Sequence, residues 1–216
     1  MAPLTLVIAN RNYSSWSLRP WLLMKHLGLA FDTIVIQLDT ATTHDKIERY
    51  SPSGLLPVLL AGTLCVWDSL AICEYLAEIT AKGWPRAPEA RAQARSLCAE
   101  IHSGFQAVRT AWPMNARARN RRTAMTPALA ADVERINEIW NDCRHRHGGG
   151  GPWLFGDYSI ADAVYAPVVL RFNTYGASIS EAARAYMAGV LEDAALQEWV
   201  RAAQQETWTI PSEEVG

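Results

Sequence analysis

The distribution of hydrophobic periods constrains this chain more than any other feature. Short runs of β-branched and alternating apolar residues are confined to the first part, at 4–8, 31–38, 56–60 and 64–67. Such runs read as strands. After Trp84-Pro85-Arg86-Ala87-Pro88 the strand signal stops, and apolar residues recur at intervals of three and four. Leu97, Ile101, Phe105 and Val108 mark one helix face within 89–111. Val133, Ile136 and Trp140 mark a second within 127–147. Further helices are expected from Ser159 to about Phe172 and near 180–190 and 193–204. Two prolines close together at 85 and 88 make 82–88 a linker. The chain therefore divides into an α/β unit at 1–81 and an all-helical unit at 89–210, with a cleft between them where small molecules tend to bind.

Within the first unit the order is strand, helix, strand, a short polar helix near 42–50, then strand, strand, helix. An alternating first half predicts a parallel pair with a crossover helix. The tight turn at Ala61-Gly62 predicts an antiparallel pair. This is a thioredoxin-like outline. Pro57 stands at the start of its strand, where a missing donor is tolerated.

The turn after the first strand carries the densest polar chemistry: Asn12-Tyr13-Ser14-Ser15-Trp16-Ser17-Leu18-Arg19-Pro20-Trp21. A strand, a hydroxyl-rich turn and a helix N-terminus present free N–H donors to a ligand. With Ser17 as the N-cap, Pro20 falls in the first turn, where its missing donor costs nothing, and Ser14 and Ser15 precede the helix.

Composition excludes several classes. A net charge of −2 offers no broad basic surface for nucleic acid. The local run Arg117, Arg119, Arg121 and Arg122 reads as a solvated helix end or loop rather than a phosphate-reading patch. No apolar stretch approaches a membrane span, and no signal-like segment opens the chain. Cys65, Cys73, Cys98 and Cys143 lack the Cys-x-x-Cys spacing of zinc or dithiol sites, so no metal is expected and the compartment is expected to be cytoplasmic. Cys143, His145 and His147 lie close together, but basic residues before Gly148 suit a helix C-terminus.

Four motifs in order resemble the cytosolic glutathione S-transferases over nearly the full length. Ser14-Ser15-Trp16-Ser17-Leu18-Arg19 is similar to the Ser-Ser-Cys-Ser-x-Arg pattern of the zeta class and related bacterial serine-type members. Ser51-Pro52-Ser53-Gly54-Leu55-Leu56-Pro57-Val58-Leu59 is similar to the loop leading into the family's cis-proline. Asp68-Ser69-Leu70-Ala71-Ile72 resembles its Glu/Gln/Asp-Ser-x-Ala-Ile helix start, and Ser159-Ile160-Ala161-Asp162 its second-domain capping motif. The resemblance implies glutathione as co-substrate, a small electrophile as acceptor and a two-fold homodimer. It implies glutathione contacts from Leu56, Pro57, Asp68 and Ser69. Ser69 would cradle the γ-glutamyl carboxylate, Asp68 would hold the ammonium group, and both also suit simple helix capping.

A free thiol with a pKa of about 8.5 is only a few per cent ionised at neutral pH. Ser14, matching the first serine of the motif, is the favoured donor to the thiolate, with Ser15 the competitor. Arg19 could add positive potential. Trp16, Trp112, Met114 and Arg171 are candidates for the electrophile site. Trp16 replaces the zeta cysteine. Arg171 falls about one turn before the place where zeta isomerases hold a substrate carboxylate. Beside transferase activity stand a glutathione-dependent cis–trans isomerase of the maleylacetoacetate type and a non-catalytic ligand-binding protein. A dithiol oxidoreductase is disfavoured, because the equivalent turn carries Ser14 and Ser17.

Overall fold

The computed structural model describes residues 2–216. Strand β1 (Leu4–Ala9) runs into helix α1 (Ser15–His26), which returns to β2 (Asp32–Ile36). After α2 (Thr43–Glu48) come β3 (Val58–Ala61), β4 (Leu64–Trp67) and α3 (Ser69–Thr80). The sheet order is β2-β1-β3-β4. β1 and β2 are parallel, as a crossover through α1 requires, whereas β3 is antiparallel to both β1 and β4. Gly62 makes the β3–β4 turn with φ of 63°, a left-handed conformation that glycine adopts without steric cost.

β1 is buried on both faces. Leu4, Leu6 and Ile8 point into the main core, and Val7 packs with Ile36, Ile47 and Val58 beneath α2. That alternation follows from the two-residue period of a strand.

From Pro88 onward the structure is helical: α4 (Pro88–Ser103), α5 (Gln106–Ala111), α6 (Pro127–His147), α7 (Ile160–Tyr175), α8 (Glu181–Glu192) and α9 (Ala194–Gln205). The single helix expected over 89–111 is broken at Gly104 and Phe105. Phe105 is left-handed, with φ of 57°, and turns α5 away from α4. α7 is buried almost all round and packs against α1 and α4, so it is the axle joining the sheet half to the helical half.

The start of α7 is fixed by Asp162. Its carboxylate accepts from the backbone N–H of Ser159 at 2.9 Å, from Leu154 N–H at 2.9 Å, and from the hydroxyls of Ser159 and Tyr186 at 3.0 and 3.3 Å. The connecting segment docks here as well, through Ile160 N–H to Gly83 O at 2.8 Å. After α9 the chain returns across the sheet half as an extended segment with one 3-10 turn, Pro211–Glu213.

Candidate thiol-activating site

The serine turn differs from the sequence expectation in one respect. The N-cap of α1 is Ser14, not Ser17, so Ser15 is the first helical residue and Pro20 lies inside the helix. Ser14 Oγ accepts from Ser17 N–H at 3.3 Å and donates to Ser17 Oγ at 2.8 Å. Ser17 Oγ in turn accepts from Ala9 N–H at 3.1 Å, at the end of β1. These bonds fold the helix start onto the strand and outweigh the donor lost at Pro20, whose absent N–H leaves the Trp16 carbonyl without its helical partner.

A cavity of about 350 Å³ opens above this turn, between the two halves. Ser14, Ser15, Trp16, Leu56 and Arg171 all line it, together with Arg109 and Glu213. Arg171 is 6% exposed. It donates to Trp112 O at 2.6 Å and to Ser15 Oγ at 3.2 Å. Ser15 therefore accepts from a buried guanidinium and keeps its own proton free for a group in the cavity, whereas Ser14 directs its proton to Ser17. Polarisation by a cation also makes the Ser15 O–H a stronger donor.

Three arginines crowd this region. Arg19 is 1% exposed, and its Nε and Nη1 have no hydrogen-bond partner. Its guanidinium lies 4.2 Å from the Trp16 ring centroid, and that of Arg109 lies 4.7 Å from the same ring. Burial, with the nearby Arg109 charge, lowers the Arg19 pKa to about 9. Burial, again with Arg109, lowers that of Arg171 to about 10. Arg109 donates to the carbonyls of Gly104 and Ile101. The Glu213 carboxyl is raised above the ordinary carboxylate range by partial burial, with Arg171 pulling the other way. This is a cationic wall at a helix N-terminus, a setting that favours a thiolate or another anion.

Of the other expected contacts, Pro57, Asp68 and Ser69 are not in the cavity lining. The Leu56–Pro57 bond is cis. Asp68 caps α3 through Oδ1, accepting from Leu70 and Ala71 N–H at 2.8 and 3.3 Å, and its Oδ2 meets His102 Nε2 at 3.2 Å. His102 stands edge-on to Trp16 with centroids 5.2 Å apart, so Trp16 connects the cavity to the α3 terminus. Ser69 is buried there with its hydroxyl unpartnered.

Trp112 and Met114 do not line the cavity. Met114 is buried in the main core. Trp112 stacks on Tyr175 at 5.5 Å and donates to Thr123 Oγ1 at 2.8 Å, contributing only its carbonyl to Arg171. Large apolar side chains lower their free energy by packing rather than by lining a polar cleft.

Arg109 and Glu213 were not singled out in the sequence. The first follows Val108 on an ordinary helix stripe, and the second lies beyond the last periodic segment. Among the described residues no cluster of His, Cys, Asp and Glu could hold a metal, and no helix is long and apolar enough to cross a membrane.

A thioredoxin-like α/β half, a helical half built on a central buried helix, and a serine turn in the cleft together define the glutathione S-transferase fold. Residues 13–79 match the family model of the glutathione S-transferase N-terminal domain, so the chain carries that domain on that fold. A structure of a glutathione transferase homolog from Burkholderia GL BGR1 with bound glutathione superposes with a TM-score of 0.73 at 22% identity, covering 94% of this chain and 100% of that one. A stringent starvation protein A homolog of Pasteurella multocida is 26% identical over 175 residues, 76% of each chain. A probable maleylacetoacetate isomerase of Vibrio cholerae is 41% identical over 66 residues, 27% of this chain and 30% of that one.

Proposed function

We propose that this protein is a glutathione transferase in which Ser15 donates a hydrogen bond to the glutathione sulfur and so favours the thiolate. The single observation carrying this reading is the Arg171 contact, which engages the Ser15 oxygen while leaving its proton available in the cavity. Ser14, the donor favoured on motif position, would first have to give up Ser17. Its role in this reading is to cap α1. The cis Leu56–Pro57 edge and the unpartnered Ser69 hydroxyl at the α3 terminus are offered as the glutathione backbone and γ-glutamyl contacts. The thiolate then attacks an electrophile held against Trp16, Arg109 and Arg171. A reducing, cytoplasmic setting suits the four free cysteines, and a homodimer is part of the same proposal.

A second reading, glutathione-dependent cis–trans isomerisation, uses the same thiolate. Arg171 and Arg109 favour it. Sequence position set Arg171 about a turn short of a substrate-carboxylate contact, yet its guanidinium reaches the cavity beside Ser15.

The test compares Ser15→Ala with Ser14→Ala in turnover of a model electrophile. Loss of a hydrogen bond to developing charge is expected to lower kcat by about 10²-fold in Ser15→Ala. Ser14→Ala is expected to lower stability by about 1 kcal/mol through the lost cap. A larger kcat loss in folded Ser14→Ala would return the role to Ser14. Glutathione binding with no turnover of any electrophile or cis-enone acid would support a non-catalytic binding protein.

A further inference from the structure

The turn that carries the serines is held by residues far away in the chain. Arg11 and Asn12 offer two N–H and two C=O groups, and all four are taken by the helical half or the segment after it. One carboxylate, Glu206, accepts from Arg11 N–H at 2.8 Å and Asn12 N–H at 3.1 Å, and its side chain is only 8% exposed. Arg11 O accepts from Trp199 Nε1 at 2.9 Å, and Asn12 O accepts from Ala116 N–H at 3.0 Å.

The next residue is held in the same way. Tyr13 donates its hydroxyl proton to Glu214 Oε1 at 2.5 Å and accepts from Arg117 Nη2 at 3.0 Å. Glu214 also accepts from Asn115 Nδ2 at 3.0 Å and pairs with Arg121. Arg117 N–H donates to Asn12 Oδ1 at 2.9 Å, and its guanidinium also reaches the carbonyls of Glu206 and Trp208. The basic run at 117–122 is thus neither a solvated helix end nor a phosphate patch at Arg117 and Arg121. These two positions are spent on anchoring 206–215 against the serine turn.

We propose that Tyr13, Arg117, Glu206 and Glu214 are positioning residues that set Ser15 at hydrogen-bonding distance from the glutathione sulfur. The proposal rests on the serine reading above. Tyr13 is two residues from Ser15, and Ser15 N–H bonds Tyr13 O at 3.0 Å, so a shift at Tyr13 passes directly to Ser15. A misplacement of about 1 Å at a reacting group can cost as much as 10²-fold in rate. Tyr13 itself lines the cavity, but its hydroxyl is engaged by Glu214 and Arg117, and among the described residues no hydrogen bond joins the clamp to Ser69 or Leu56, the proposed γ-glutamyl and backbone contacts.

The test measures the ionisation of bound glutathione by thiolate ultraviolet absorbance across pH, together with glutathione affinity by tryptophan fluorescence. Wild type, Tyr13→Phe, Glu214→Gln and Ser15→Ala are compared. Tyr13→Phe removes one oxygen and keeps the ring, so it serves where Glu214→Gln fails to fold. The expected result is a thiol pKa raised by about one unit, about a tenfold loss of thiolate at a fixed pH below both pKa values, in both clamp variants. At such a pH both proteins bind glutathione mainly as the thiol, so affinity should stay within about twofold of wild type, a range under about 0.5 kcal/mol. If Ser15→Ala raises the thiol pKa and the clamp variants do not, the clamp is only structural and the proposal is overturned while the serine reading stands. If Ser15→Ala leaves the thiol pKa unchanged, the serine reading fails and the clamp proposal falls with it.

Discussion

Arg171 donates to Ser15 Oγ across 3.2 Å, joining two residues 156 positions apart in the sequence. The same guanidinium holds Trp112 O at 2.6 Å, so its position is set before any ligand arrives. A planar guanidinium can make both bonds at once, whereas an ammonium on a flexible stem is a point charge with different reach. Arg171→Lys is therefore expected to keep the charge but lose the Ser15 contact. The measured outcome is a kcat for thiol addition lowered by about tenfold, the worth of a 1.4 kcal/mol charge-assisted bond. A kcat equal to wild type would show that charge alone matters at this position.

Much of the architecture is legible in the sequence because it rests on local chemistry. Asp68 and Ser159-Asp162 are helix starts whose side chains bond to backbone within three residues, and Gly62 is a turn that only its own φ requires. The start of α1 departs from its sequence expectation for a tertiary reason. Pro20 argues locally for a late N-cap, but Ser17 Oγ is held by Ala9 N–H at the strand end, and that bond moves the cap back to Ser14.

The cavity is legible on its sheet side and, on the helical side, at Arg171 alone. Ser14, Ser15, Trp16 and Leu56 sit in a recognisable turn and loop, while Arg109 and Glu213 come from a plain helix stripe and an aperiodic tail. Trp112 and Met114 look like site residues in sequence because aromatic and thioether side chains suit clefts and cores alike. Packing decides between the two, and here it buries both.

Arg19 is a buried cation without a hydrogen bond from Nε or Nη1, facing two other guanidiniums. Such a group destabilises the fold unless an anion arrives. Its folded pKa, lowered to about 9 by burial and the neighbouring Arg109 charge, lies well below that of an unfolded arginine, so above about pH 9 the unfolded chain binds the extra proton. Its cost is therefore full below about pH 9 and declines as pH rises above it. Arg19→Met keeps the packing against Trp16 and removes the charge. The expected outcome is a gain of about 1–3 kcal/mol, or a Tm raised by about 2–4 °C per kcal/mol, together with weaker ionisation of bound glutathione. A lowered Tm would mean that the stack on Trp16 outweighs the cost of burial.

Glu213 lines the same cavity as Arg171, and the two charges act on each other. Its carboxyl is shifted up by burial, with Arg171 opposing, so it becomes ionised at a somewhat higher pH than an exposed glutamate. Below that pH it is neutral, and Arg171 is left to an incoming anion. Above it, the Glu213 carboxylate competes for Arg171 and repels the anion. An acceptor carrying a carboxylate should thus show KM rising as pH climbs through the range, above that of an exposed glutamate, in which Glu213 ionises, while an uncharged acceptor shows no such rise. In Glu213→Gln the rise should disappear, and KM for the anionic acceptor should stay at its low-pH value, about three- to tenfold below wild type at neutral pH, as a partly exposed charge contact of roughly 1 kcal/mol allows. Steady-state KM for one acid and its uncharged ester, measured across that range in both proteins, checks this. Parallel pH profiles for acid and ester in wild type would show that Glu213 does not reach the acceptor.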